Sequence, residues 1–104
     1  MKKFYARVKD LTQKVERILE VTEEFLVMDL DQIKTWVDEA IEVNRELDKL
    51  DNDYYEVSSG FSECQKTIFN ISLLNFADIV ENRFRKIKWE EIQKVLNEEV
   101  NGFA

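Results

Sequence analysis

The chain has no histidine and no proline, a single cysteine, Cys64, and two glycines, Gly60 and Gly102. Without histidine it lacks the commonest general base, the Ser-His and Cys-His nucleophile pairs, and the ligands of a Cys/His metal site. A single cysteine excludes a disulfide within these 104 residues. Because strands need turns, so few turn residues also disfavour a fold built from many short strands.

Long apolar runs are absent too, since no stretch reaches the roughly 18 apolar residues of a membrane-spanning helix. The basic start "MKKFYARVKD" is not followed by the apolar core of a signal peptide, which favours a cytoplasmic location. A composition that is 44% hydrophobic and 36% charged is typical of a globular protein. The length predicts one domain spanning residues 1–104.

Apolar residues recur at intervals of three and four, which predicts helices. The expected helices cover residues 3–27, about 30 to 54–57, 61–86 and 89–101. We therefore predict an all-α fold, an antiparallel bundle of three long helices plus a short C-terminal helix. The clearest seam is a heptad pattern in the first helix, which Leu19 and Leu26 widen. Its members are Phe4, Val8, Leu11, Val15, Ile18, Thr22 and Phe25.

Two short motifs predict where helices begin. Asp29 and Gln32 form a capping-box pattern, which favours a break between the first and second helices. The alternative is one continuous helix through residue 50, because no glycine or proline interrupts it. We prefer the break, since a 50-residue helix would be about 75 Å long. Ser62 and Gln65 form a second capping-box pattern, and Gly102 suits a helix C-terminal cap.

The third predicted helix is the most apolar and carries two rows of apolar residues. Two rows on different sides predict that other helices cover more than one of its faces, and that Cys64 is buried. The first row contains Phe69, Leu73, Phe76, Val80, Phe84 and Ile87. The second row contains Cys64, Ile68, Ile71 and Leu74.

The net charge of −7 is concentrated in the middle of the chain, where residues 29–63 hold eleven acidic and three basic side chains. Asp38, Glu42 and Glu46 follow at intervals of four, which places like charges on one helix face. Further acids crowd the end of the second helix, where the helix dipole disfavours anions. A solvated helix face is the simplest explanation, and a docking surface for a cationic partner is the functional one.

The functional interpretation is a non-enzymatic module that binds the basic surface of another protein. Such a module would be a small inhibitor, adaptor or immunity-type factor, and it would need no cofactor. Low alanine with abundant lysine, isoleucine, asparagine and glutamate is typical of AT-rich genomes, including those of phages and Gram-positive bacteria. Direct binding of nucleic acid is disfavoured because it depends on neutralising phosphates with lysine and arginine. The expected partner-binding residues are Asp38, Glu42, Glu46, Asp53, Tyr54 and Tyr55.

An enzymatic alternative comes from the segments "EAIE" and "NFAD". Glu39, Glu42 and Asp78 in these segments could face one another across a bundle and hold Mg²⁺. The pattern resembles the paired E-x-x-E and E-x-x-D helices of the all-α nucleotide pyrophosphohydrolases, which implies a Mg²⁺-dependent enzyme. Asn75 stands where that pattern has its third carboxylate.

A third alternative is a structural homo-oligomeric bundle, since the long heptad seam allows self-association. The basic segment "RFRKIK", residues 83–88, could then pair with the acidic patch of a second copy and give a homodimer.

Overall fold

The computed structural model describes residues 2–101, and the side chains of residues 2–99. This part of the chain is helical and contains no strand, which confirms the all-α prediction. The elements in chain order are α1 (Lys2–Thr22), a 3-10 turn (Phe25–Val27), α2 (Leu30–Ser58), α3 (Glu63–Ser72), α4 (Leu74–Ile79), a π-helical turn (Val80–Phe84) and α5 (Trp89–Asn101). The molecule is elongated, measuring 58 × 22 × 21 Å along its principal axes.

The α1 and α2 helices form an antiparallel hairpin that supplies most of the core. Arg7 pairs with Asp53 and Lys14 with Glu46, so residues later in α1 meet residues earlier in α2. The predicted seam is buried at the positions that face α2. The buried apolar residues of the hairpin are Phe4, Val8, Leu11, Val15, Ile18, Leu19, Val37, Ala40, Ile41, Val43, Leu47 and Leu50.

The break between the first two helices is confirmed, and the continuous helix is wrong. Asp29 Oδ1 accepts from the backbone N–H of Gln32 at 2.8 Å, and Gln32 Oε1 accepts from the backbone N–H of Asp29 at 3.3 Å. This reciprocal pair satisfies two of the free donors at the start of α2. The α1 helix ends at Thr22 rather than at residue 27, because the chain must reverse for α2 to pack against it. Leu26, expected to widen the seam, is fully exposed.

The capping box at Ser62 and Gln65 is also present and starts α3. The expected continuous helix over residues 61–86 is wrong, however, because the backbone is interrupted at Leu73 and becomes π-helical after Ile79. Ser72 Oγ donates to the carbonyl oxygen of Phe69 at 2.6 Å. A serine hydroxyl that competes for a helix carbonyl in this way often bends the helix.

The predicted burial of the second apolar row is wrong, and so is the predicted burial of Cys64, whose thiol is free and exposed. Ile68, Ile71 and Leu74 are each more than 60% exposed, at 62%, 61% and 63%. The reason is that α3 packs against the hairpin on one side only, where Phe69 is buried, and the described residues cover no second side.

The α5 helix covers the other flank of α2 and begins as predicted at Trp89. Trp89 is fully buried, and its Nε1–H donates to the carbonyl oxygen of Phe84 at 3.1 Å. Gly102, the expected cap of this helix, lies outside the described residues. In the described part of the chain, each helix is too short or too polar to cross a membrane.

Candidate functional site

Three of the predicted partner-binding carboxylates contact other helices of the same molecule. Asp53 forms an ion pair with Arg7 of α1, and Glu46 lies 3.5 Å from the Lys14 ammonium. Asp38 Oδ1 accepts a hydrogen bond from Gln93 Nε2 of α5 at 2.9 Å. The acidic face of α2 therefore also joins α2 to the helices on its two flanks.

Lys14 shows the electrostatic effect of this pairing. Partial burial lowers the pKa of its ammonium group, but hydrogen bonds and Coulombic attraction from Asp10 and Glu46 outweigh that effect and raise the pKa above its ordinary value. The ammonium lies 3.3 Å from Asp10 and 3.5 Å from Glu46. The Asp10 and Glu46 side chains remain accessible to water, so these two ion pairs contribute little to the stability of the fold.

The other three predicted residues differ in exposure. Glu42 is exposed on α2 and pairs only locally, with Arg45 at 3.0 Å. Tyr54 is half-buried, and its ring stacks on that of Phe69 with the ring centroids 5.2 Å apart. Its hydroxyl donates a hydrogen bond to Asn70 Oδ1. Tyr55 is 71% exposed. Of the six, Glu42 and Tyr55 have the most freedom to meet a partner.

The alternative metal-binding residues are not brought together. Among residues 2–101, no three or more acidic or cysteine side chains cluster closely enough to hold a metal ion. Glu42 pairs with Arg45, and Asp78 accepts from Asn82 Nδ2 at 2.6 Å.

An open apolar groove of about 630 Å³ lies between the C-terminal half of α2 and the wall formed by α3, α4 and the π-helical turn. Its floor consists of buried apolar side chains, and both tyrosines of the predicted site line it. Ligand pockets commonly have about this volume and this mixture of apolar walls with a few polar groups. The lining residues are Phe4, Leu47, Leu50, Asp51, Tyr54, Tyr55, Asn70, Leu73, Phe76, Ala77, Val80 and Glu81.

One edge of the groove carries an acidic cluster arranged around Arg85. The guanidinium lies 3.0 Å from Asp48, 3.3 Å from Asp51 and 3.4 Å from Glu81. Three carboxylates surround a single cation, so the cluster has a net charge of −2. The carboxylates are mostly exposed while Arg85 is largely covered, and the negative charge is therefore the part that solvent or a partner meets.

The exposed second row of α3 adjoins the groove. Leu74 follows Leu73 directly and lies one helical turn before Ala77 in α4, and both of these neighbours line the groove. Ile71 and Ile68 continue the row at intervals of three residues. We call Ile68 and Ile71 of α3, together with Leu74 at the start of α4, the α3 strip. Together with Tyr55 on the opposite wall, the strip extends the apolar surface beyond the groove.

Sequence reasoning found the tyrosines but missed the groove. The second apolar row is visible in the sequence, but periodicity alone assigns it to the core. The role of Arg85 was also missed, since the basic segment at residues 83–88 was considered as a partner for the acidic patch of a second copy. Acidic residues of α2 and a basic residue after the π-helical turn were visible, but their proximity depends on how α2 meets that turn.

Comparisons of the chain with protein-family models, with curated proteins and with solved structures gave no match. Functional inference therefore depends on the geometry of the groove, the α3 strip and the surrounding charges.

Proposed function

We propose that the protein is a non-enzymatic binding module that docks the basic surface of another protein. The observation that carries the proposal is the α3 strip, three aliphatic side chains more than 60% exposed beside an open apolar groove. Contiguous exposed apolar surface of this kind marks protein-interaction sites in soluble proteins. Tyr55 supports the proposal, because large amphipathic tyrosines are favoured anchors at interfaces.

Charge supplies the preference for a basic partner. The chain has a net charge of −7, and the exposed carboxylates of α2 lie on the helix that forms one wall of the groove. Complementary charge steers association and rejects like-charged proteins more than it adds affinity. In this proposal the apolar surface provides the binding energy, and Asp38, Glu42 and the neighbouring acids select the partner.

A module of this kind acts as a small inhibitor, adaptor or immunity-type factor, such as those that phages and bacteria encode. We place it in the cytoplasm, where an exposed free thiol such as Cys64 stays reduced. Self-association through the α3 strip is the competing use of the same surface, and light scattering that reports a dimer would favour it.

The first prediction concerns the α3 strip. Ile71→Glu is expected to abolish capture of the partner from extracts of the source cells, because it places a charge within the apolar contact. Val95→Glu is the matched control, since Val95 is an exposed apolar residue of α5 away from the strip. Capture by tagged protein, followed by titration of the purified partner, measures the effect. Equal binding by the two variants would remove the strip from the proposal.

The second prediction concerns charge. Glu42→Lys is expected to slow association with the partner several-fold at low salt, with the difference fading as salt screens the charges. Glu98→Lys makes the same change in net charge on α5 and serves as the control. Stopped-flow or surface-based kinetics with the purified partner measure the rates. If both variants slow association equally, only the net charge matters and the α2 face has no specific role.

A further inference from the structure

The groove has the dimensions of a receptor for one helix. Its α2 wall runs from Leu47 to Tyr55, eight residues apart, which corresponds to about 12 Å along a helix. An amphipathic helix that binds in a groove places its anchors at positions i, i+3 or i+4, and i+7, which span about 10 Å. The wall is therefore long enough for one such set of anchors.

The charged side chains at the edge of the groove indicate which residues the bound helix should carry beside its apolar anchors. Asp51 and Glu81 line the groove and belong to the Arg85 cluster, whose net charge is −2. Lysine or arginine beside the apolar anchors would meet these exposed carboxylates. A second copy of this chain is a poor occupant, because two molecules of charge −7 repel each other.

We infer that the groove between α2 and the α3–α4 wall binds an amphipathic helix of the partner, with apolar anchors inside the groove and basic residues against Asp51 and Glu81. This inference rests on the proposed protein-binding function and specifies the element that the partner presents. The anchors would contact the floor at Leu50 and Leu73, and Tyr55 and Leu74 would close over its two sides.

A designed peptide tests the inference directly. The probe is a fluorescein-labelled peptide longer than about 15 residues, so that it can be helical, with leucine anchors on one face and lysines beside them. One comparison peptide has glutamates in place of the lysines, and another has the same composition in scrambled order. Fluorescence anisotropy should show the first peptide binding at least about tenfold more tightly than either comparison peptide.

Two alanine-to-tryptophan variants locate the binding site. Ala77 is exposed and lines the groove, so Ala77→Trp should fill it and weaken binding at least about tenfold. Ala6 is exposed on α1 and does not line the groove, so Ala6→Trp should bind like the parent protein. Glu81→Gln should weaken binding of the lysine peptide only. Circular dichroism of each variant checks that the fold is kept.

Several results would overturn the inference. Equal binding by Ala77→Trp and Ala6→Trp would place the peptide elsewhere, and equal binding of the scrambled peptide would mean that charge alone attracts it. Light scattering that shows a dimer dissociated by Ala77→Trp would make a second copy the occupant.

If Ile71→Glu abolishes partner capture while Ala77→Trp has no effect on peptide binding, the groove assignment fails and the proposed binding function stands. If Ile71→Glu leaves partner capture unchanged, the proposed binding function itself fails, whatever the peptide experiment shows.

Discussion

Phe69→Ala is expected to destabilise the protein by about 3–5 kcal/mol, as large-to-small changes of buried aromatic residues do. Phe69 is 2% exposed and is the buried apolar residue that α3 contributes to the core. Four aromatic rings surround it at centroid distances between 5.2 and 5.8 Å. They belong to Phe4 and Tyr5 of α1, Tyr54 of α2 and Phe61 of the loop before α3.

The loss of folding stability in Phe69→Ala should be large for two reasons. Alanine leaves a cavity among rings that are fixed by three different segments, so the site cannot collapse easily. It also removes aromatic pairs that contribute beyond their buried area. Because Asn70 of the groove follows Phe69 directly and Leu73 lies four residues after it, binding of the lysine peptide should weaken as well.

Urea unfolding followed by circular dichroism measures the change in the free energy of unfolding. Phe69→Leu keeps most of the volume and should cost less than Phe69→Ala. Phe25→Ala is a control, because Phe25 is only half-buried in the 3-10 turn. A loss below about 1 kcal/mol for Phe69→Ala would show that the aromatic cluster does not hold α3 to the hairpin.

Trp89→Ala is also expected to destabilise the protein by about 3–5 kcal/mol. Trp89 is 1% exposed, its ring lies 5.3 Å from that of Phe84, and its indole N–H donates to the Phe84 carbonyl oxygen. Alanine would leave a cavity and remove the indole donor, while the Phe84 carbonyl keeps the backbone N–H of Ile87 at 3.3 Å. Because Trp89 begins α5, the loss should also loosen α5 from α2.

The other tryptophan of the chain provides a matched control. Trp36 is half-buried, and the Arg17 guanidinium lies 5.4 Å from its ring centroid. A partly exposed contact of this type contributes only about 0.5–1 kcal/mol, so Trp36→Ala should be the milder change. Urea unfolding of both variants gives the comparison. Equal losses for the two variants would mean that Trp89 has no special role in seating α5.

Local sequence patterns predicted the start of each main helix, since capping and periodicity depend on residues only a few positions apart. The capping boxes at Asp29 and Ser62 are examples, because each involves only its own residue and one three positions later. The interruption at Leu73 was not predicted, because periodicity continues across it. Its signal was Ser72, but a serine bends a helix only when its hydroxyl bonds to a backbone carbonyl, and the sequence does not show that bond.

The candidate site was predicted only in part, because it depends on contacts between helices that are far apart in the sequence. Tyr54 and Tyr55 were recognised as adjacent aromatics at an acidic helix end, and both line the groove. Whether the acids of α2 face water or another helix could not be read from spacing alone. Asp53 and Glu46 meet cations of α1, and Asp51 meets Arg85, because α1 and the segment after the π-helical turn both lie against α2.

By itself the sequence determined that this protein is helical, that α1 and α2 separate near Asp29, and that negative charge concentrates in α2. These properties follow from side-chain chemistry over short distances along the chain. Only the tertiary structure decided which apolar row of α3 is buried. Both rows are apolar, but α3 packs on one side, so Phe69 enters the core while Ile68 and Ile71 remain exposed. The groove exists for the same reason, since it forms where α2 and the α3–α4 wall do not close on each other.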